Sequence, residues 1–423
     1  MYHYLQIIIK GDNMKKTILA SVLASSVLMA GGYKVPELSL NAVALSSANV
    51  AHSNGADAAY YNPANMAFMK DENTLEVDLT YIGLDATNFK GTVSGAPYDL
   101  DAQSETFLAP SINYVSGDFD GMRFGLSVVS PAGLTKRWNT EPAKTSAEEF
   151  SLQIIEINPT VAMKIDEQIS VALGIRVLHT SGVVKSSGTA VVAPGPTYSV
   201  ISRDMEGDSI DYGYNIALSY KPASDVELGL TYRSNIDLSV EGDAKLSSSL
   251  DSGTYNGGTS VSVPVPAALN IAVAYTLPSK TTVEFLYERT FWSAYETLDF
   301  SYDGALGSAI LTAAFDNPIA KDWKDVSAYR LGVTQEMDEL TLMAGIVYDE
   351  SPIPDESYSF ELPGTNSTSI SFGARYQVDE KMNVGFATLY SMKESRSVSN
   401  DDLNGEFSNS NALLVTAGIE YKF

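Results

Sequence analysis

Side chains able to do bond-making chemistry are sparse in this 423-residue chain, which has no cysteine and only His3, His52 and His179 as histidines. Without thiols there is no zinc–thiolate site, no thiol nucleophile and no disulfide. Acid–base or nucleophilic catalysis needs a histidine or a carboxylate pair set beside its reacting group, and no nucleophile-elbow motif occurs. An enzyme is not expected, and with no nucleotide-binding motif no cofactor is expected either. The acidic stretches Asp349–Glu356 and Asp401-Asp402 carry the oxygen ligands that Ca2+ prefers, but they read as solvated loop charge and no metal site is assigned. Acidic residues number 52 against 27 basic ones, a net charge of −25 that excludes a nucleic-acid partner, because phosphate binding needs a basic face. What remains is non-covalent chemistry: apolar contact, hydrogen bonding and ion pairing.

The elements that would position such contacts are strands. Residues 14–32 read MKKTILASVLASSVLMAGG, with Lys15 and Lys16 ahead of the apolar run Thr17–Met29 and the small residues Ala30, Gly31 and Gly32 after it. That is a secretory signal peptide over 14–32, leaving 1–13 as an over-extended start. The apolar run is too short to cross a bilayer, which takes about 20 residues, and no other stretch approaches that length. A chain that is 44% hydrophobic but only 19% charged, with tyrosine outnumbering phenylalanine, then crosses a membrane as strands or not at all. Alternation with a period of two supports strands. Leu413, Val415, Ala417, Ile419, Tyr421 and Phe423 share one face, with Leu414, Thr416, Gly418, Glu420 and Lys422 on the other. Val226-Leu228-Leu230-Tyr232 opposite Glu227-Gly229-Thr231-Arg233 repeats the pattern.

Connection lengths give the architecture. Six short turns fall at Ser116–Gly121, Asp166–Gln168, Pro222–Asp225, Pro278–Lys280, Glu336–Glu339 and Asp379–Lys381. Seven long segments alternate with them, near 86–104, 132–147, 186–203, 242–260, 303–321, 350–366 and 395–406. Thirteen connections make fourteen strands, and short turns at one end with long loops at the other is the outer-membrane pattern. The expectation is an all-β fold, a 14-strand antiparallel transmembrane β-barrel over 73–423. Both termini then lie at the periplasmic end, and the closing aromatic Phe423 is the residue outer-membrane assembly machinery would read. Outer-membrane lipid is the outward partner.

Residues 33–72 lack the alternation and are rich in small residues, as in Leu45-Ser46-Ser47-Ala48-Asn49-Val50-Ala51. A barrel this wide needs its interior filled or conducts water, and the stop at Asn62-Pro63-Ala64 favours a packed hatch (plug) in the lumen. Pro131 interrupts the strand-like run Met122–Ser130. A proline cannot donate to the ladder, so with Gly133 it bends the strand inward or else ends it at Ser130. Arg176 and Arg233 fall on lumen positions, to pair with acidic groups there. Val191, Val192 and Pro194 are apolar within an exposed loop and are assigned to a capture groove.

Several stretches together carry a family likeness. They are Gly32-Tyr33-Lys34-Val35, Ala56-Asp57-Ala58-Ala59 before Asn62-Pro63-Ala64, Ser130-Pro131-Ala132-Gly133-Leu134 and Asn158-Pro159-Thr160-Val161-Ala162. Gly229-Leu230-Thr231-Tyr232-Arg233-Ser234, Trp323-Lys324-Asp325 and Tyr348-Asp349-Glu350-Ser351-Pro352-Ile353-Pro354 follow in order. In this set the chain resembles the FadL/TodX family of outer-membrane transporters for long-chain fatty acids and other hydrophobic compounds. The resemblance implies a hatch-closed 14-strand barrel, a hydrophobic small-molecule substrate (fatty acid or hydrocarbon) as partner, passive diffusion, and a lateral opening where Ser130, Pro131 and Gly133 kink the third strand. It also implies that the hatch around Asn62, Pro63 and Ala64 contacts the kink and moves when ligand binds. Basic residues of the family's inner wall correspond here to Ser186, with Lys185 adjacent, and to a position near Ile319, with Lys321 two residues on. Lys185 and Lys321 are therefore the candidates for binding a carboxylate. Long-chain fatty acid uptake by a monomer is the leading expectation, ahead of transport of aromatic or other uncharged hydrophobic compounds and of a general diffusion porin.

Overall fold

The computed structural model describes residues 31–192 and 197–423. The expected over-extended start 1–13, residues 14–30 of the expected signal peptide, and Pro194 of the expected capture groove lie outside the described residues.

Fourteen antiparallel strands close on themselves. They are β1 (Thr74–Leu84), β2 (Glu105–Val115), β3 (Met122–Val129, resuming as Gly133–Lys136), β4 (Glu149–Lys164), β5 (Ile169–Val192), β6 (Thr197–Ala223) and β7 (Val226–Arg233, then Ile236–Ser248). The second half comprises β8 (Thr254–Val265, then Ala268–Thr276), β9 (Thr281–Thr290), β10 (Val326–Glu336), β11 (Leu340–Asp349), β12 (Ser367–Gln377), β13 (Met382–Lys393) and β14 (Ala412–Lys422). The first and last strands pair from Thr74↔Lys422 to Leu84↔Ala412, so the sheet has no free edge at its seam. Every one of the six short turns falls where the sequence places it.

Four of the seven long segments are hairpins: 86–104 (Asn88–Val93 with Ala96–Asp101) and 395–406 (Arg396–Ser399 with Leu403–Ser408) join in a separate four-stranded sheet, and two others prolong barrel ladders. The β5–β6 ladder runs on to Val192↔Thr197, and the β7–β8 ladder to Ser247↔Thr254. The expected loops 186–203 and 242–260 are thus hairpins extending well beyond the roughly ten residues a barrel strand needs to span lipid. Outside the membrane both hairpin faces can be wet, so Ser and Gly replace the apolar alternation and mimic a loop.

The wall has one apolar and one polar face. On β14, Ile419, Tyr421 and Phe423 are half exposed, at 52%, 44% and 56%, while Leu414 and Thr416 are wholly buried. Val77 and Leu79 on β1, Phe285 on β9 and Phe372 on β12 are likewise exposed. A continuous exposed apolar band of this kind is a lipid-facing surface. Among the described residues no helix is long and apolar enough to cross a membrane.

Residues 33–72 pack against the opposite, inner face of the wall. Ser39 caps helix α1 (Leu40–Ala44) by accepting the Ala42 N–H at 3.1 Å. Helix α2 (Ala58–Tyr61) ends at Asn62, whose Oδ1 accepts the Ala64 N–H at 3.2 Å as the 3-10 turn Pro63–Phe68 begins. The Asn62 Nδ2 donates to the Val50 carbonyl at 2.8 Å, tying the two halves of the segment together. Wall carboxylates and guanidinium groups supply further partners. Glu284 of β9 accepts the N–H groups of Val50, Ala51 and His52 at 2.6–2.9 Å. Arg330 of β10 donates to the Ser46 carbonyl at 3.0 Å and to Glu37 at 3.3 Å. The Arg375 Nε on β12 donates to Asn41 at 2.6 Å. Close approach needs small wall residues: a β-carbon at Gly345 would sit 2.3 Å from the Leu45 carbonyl carbon.

Gly345→Val therefore forces the segment off the wall. Its expected cost is about 1–3 kcal/mol of overpacking, read as a lower urea midpoint for the folded barrel in lipid vesicles. An unchanged midpoint would show that the segment does not rest on this position.

Candidate functional site

The third strand breaks where the sequence sets Pro131. Val129 pairs with Glu156, and the next pair is Gly133↔Gln153, so Ser130, Pro131 and Ala132 stand opposite only Ile154 and Ile155. One extra residue on one strand is a bulge, which bends the strand. On the other side, the β2–β3 ladder covers only Ile112↔Val128 to Val115↔Gly125. The outer part of β2, from Glu105 to Ser111, pairs with β1 alone among the described residues. Pro110, not among the residues singled out from sequence, also lies here and has no N–H to leave unpaired; a proline inside an alternating strand is the signal that marks it.

Backbone groups freed by the bulge are taken by the start of the N-terminal segment. The Val35 N–H donates to the Pro131 carbonyl and the Gly133 N–H to the Tyr33 carbonyl, each at 2.8 Å, with Lys34 directly opposite Ala132. Leaving them open to hydrocarbon costs several kcal/mol per group. Between this junction and β1–β2 lies a recess of about 290 Å3, bounded by Val35, Leu38, Ile82, Ala109, Pro110 and Ser130.

The Tyr33 side chain reaches a larger, apolar cavity. Its hydroxyl donates to the Pro264 carbonyl, and its ring packs edge-on against Trp292 at 4.7 Å. Gly32 precedes it at φ +80°, where a β-carbon would lie 2.5 Å from Trp292. The cavity has about 590 Å3 of empty space, open mouth included, bounded by Tyr33, Leu134, Phe150, Leu152, Val184, Met205, Val263, Tyr295, Leu298 and Phe300 among others. That is within the usual range of roughly 300–1,000 Å3 for small-molecule sites. Glu206, the one charged residue along its wall, is exposed and one position out of phase with buried Met205. Tyr33 is thus shared: its ring bounds the cavity and its backbone closes the bulge.

The residues singled out from sequence fall as follows. Asn62, Pro63 and Ala64 are buried at the end of α2, and the Ser170 hydroxyl of β5 donates to the Ala64 carbonyl at 2.8 Å. The same stretch meets β3, since Met66 and Ala59 occupy the space beside Gly125. Arg176 and Arg233 share the buried carboxylate of Glu156, with Arg176 at 3.0 Å and Arg233 closer still. Val191 and Val192 lie in the β5–β6 ladder opposite Tyr198 and Thr197, not in an irregular loop. Lys185 is half exposed between Glu149 at 3.9 Å and Asp204 at 3.8 Å. Lys321 is fully buried and bound to Glu361 at 2.7 Å. No ion pair or hydrogen bond joins the two lysines to a common partner among the described residues. Burial alone would raise the Glu361 carboxyl, but the Lys321 ammonium beside it wins and holds it below the usual range.

Comparison with known proteins follows this geometry. A family model described as outer membrane protein transport protein (OMPP1/FadL/TodX) matches residues 21–423. The chain is 22% identical over 443 residues to the long-chain fatty acid transport protein of Escherichia coli (strain K12), covering 96% of this chain and 97% of that one. A Pseudomonas aeruginosa FadL homologue has a similar crystal structure, with a TM-score of 0.80 at 18% identity, covering 92% of this chain and 99% of that one. The toluene transporter TodX of P. putida gives a TM-score of 0.70 at 17% identity, over 93% and 99% of the two chains.

The Lys321–Glu361 pair makes a measurable claim. Lys321→Met strands a buried carboxylate, at an expected cost of about 3–5 kcal/mol, and adding Glu361→Leu should recover most of it. Because the folded Glu361 carboxyl is held low, its contribution is present above its unfolded pKa of about 4.3 and fades as pH falls through the folded value. The gap between wild type and Lys321→Met should therefore narrow on acidification. Urea unfolding followed by the fluorescence of nearby Trp323 reads this, and a gap independent of pH would contradict the pairing.

Proposed function

This chain belongs to the OMPP1/FadL/TodX family of outer membrane transport proteins, and on that premise we propose that it takes up long-chain fatty acids by passive diffusion. It is an integral outer-membrane β-barrel. A fatty-acid tail gains about 0.8 kcal/mol for each methylene taken out of water, so a wet channel is a poor route for it. A usable route offers apolar surface at each stage: a cavity, a gate, and an exit into lipid. The apolar cavity bounded by Tyr33, Phe150 and Phe300 suits the first stage. The N-terminal segment 33–72 acts as the hatch. The recess at Ser130, between the free side of β2 and the bulge, is the exit.

One observation carries the reading: Tyr33 bounds the cavity and its carbonyl accepts from Gly133 at the bulge. A ligand that displaces the Tyr33 ring pulls on the bonds that close the wall, so occupancy and opening are coupled. Asn62 and Pro63 hold the rest of the hatch without touching substrate, and Phe423, exposed at the periplasmic end, is the residue offered to the assembly machinery. The curated relative is named for long-chain fatty acids. Uncharged aromatic compounds are the second reading, favoured by a cavity bounded in part by the rings of Tyr33, Phe150, Tyr295 and Phe300 and nearly free of charge.

Uptake of labelled oleate into cells lacking their own fatty-acid channel tests the reading directly. Expression of this protein should raise uptake, and Pro131→Val with Gly133→Thr, which restores a donor and a β-former to β3, should abolish the rise at normal surface levels. Unchanged uptake in the double variant would overturn the lateral exit. A rise for toluene but not for oleate would favour the second reading.

A further inference from the structure

Resting on the fatty-acid reading, we infer that Arg203 receives the carboxylate of an acid whose tail lies in the apolar cavity. Arg203 is on β6, paired across the sheet with Ser186 of β5 and Leu246 of β7. It shares the inward face with buried Ile201 and Met205. Its guanidinium lies over the rings of Phe300 and Phe315, 5.3 Å from each. Phe300 and Met205 both bound the cavity, so this cation stands at the cavity's margin.

What sets Arg203 apart is the lack of a counter-charge. Arg176 and Arg233 have Glu156, Arg330 has Glu37 and Glu288, and Arg375 has Glu76. Buried Arg123 has three backbone carbonyls instead. Among the described residues, the Arg203 side chain makes no hydrogen bond or ion pair, and its Nε is buried without a partner. Glu361 is the carboxylate that acts on it through space, and that group is already held by Lys321 at 2.7 Å. Tyr302, the other polar neighbour, has its hydroxyl directed to the Phe315 carbonyl at 3.2 Å. Two aromatic faces stabilise a guanidinium but leave its planar fork unused. A fork of that kind matches a carboxylate with two parallel bonds, and Ser186 directly opposite adds a buried hydroxyl. Lys185 and Lys321, the candidates from sequence, are engaged by carboxylates of the protein itself.

The rival role for Arg203 is a staple that holds the helix Ala309–Phe315 through its stacking on Phe315. Oleate and oleyl alcohol separate the two roles, because they share a tail and differ in charge. Binding of each is measured by calorimetry on the purified, detergent-solubilised barrel, with heat-modifiable gel mobility as the check on folding. Arg203→Gln should weaken oleate by about tenfold or more while leaving oleyl alcohol within about twofold. Arg203→Lys keeps the charge but loses the fork, and should fall between. Equal losses for both ligands would assign the staple role, and no loss for oleate in either variant would place the head group elsewhere; both outcomes overturn the inference. Wild-type protein that binds oleyl alcohol as tightly as oleate overturns the inference but not transport of hydrophobic compounds. Wild-type protein that binds neither overturns the fatty-acid reading as well.

Discussion

A backbone N–H or C=O cannot be left open to hydrocarbon, and the rest of this protein follows from how that requirement is met. Closure of β1 on β14 over Thr74↔Lys422 to Leu84↔Ala412 removes the sheet's edges. The interruption of the third strand at Ser130–Ala132 is tolerable because Tyr33 and Val35 supply the missing partners. The first residues of the N-terminal segment therefore belong to the wall as much as to the interior. A proline fixes the place of the break, since its nitrogen has nothing to donate wherever the strand runs.

The interior is held by charge where the exterior is held by lipid. Glu284 gathers three successive N–H groups, and Lys34 reaches Glu288 at 2.6 Å. Each such contact is between a group on the wall and one on the segment, and both partners are largely removed from water. Losing one partner leaves the other buried and unpaired, which costs more than the pair contributes. The segment is accordingly pinned along residues 37–65, whereas its beginning at Tyr33–Val35 rests on two backbone bonds, the Tyr33 hydroxyl bond to the Pro264 carbonyl, the Lys34 ion pair and ring contacts. The part that bounds the apolar cavity is the part least tied by charge.

Much of this was legible in the residues. Turn positions such as Asp166–Gln168 and Asp379–Lys381 stand out because the hairpins at one end of the barrel are short and polar, and alternation marks β14 to its last residue. The extended hairpins at 186–203 and 242–260 were not legible as strands, since a β-ribbon wet on both faces loses its apolar period. Pro131 announced the break, but Val35, which donates to its carbonyl, lies about a hundred residues away, and a backbone pairing carries no side-chain signature. The lysines at 185 and 321 could be picked out as cations, yet whether a cation is already neutralised depends on Glu361 and Asp204, which only the fold brings near. Arg203 escaped notice for the same reason: its distinction is the carboxylate it lacks.

The central claim is that the Tyr33–Val35 junction with the third strand must part for transport. Lys34 and Ala132 form the non-hydrogen-bonded pair of that junction, whose Cα separation of about 4.5 Å falls within disulfide range. The chain has no cysteine of its own, so Lys34→Cys with Ala132→Cys gives a single reversible lock. Oleate uptake is measured in the oxidised and the reduced protein. Uptake should be blocked when the bond is formed and recovered on reduction, with oleate binding retained in both. Equal uptake in the two states would show that transport does not pass through this junction.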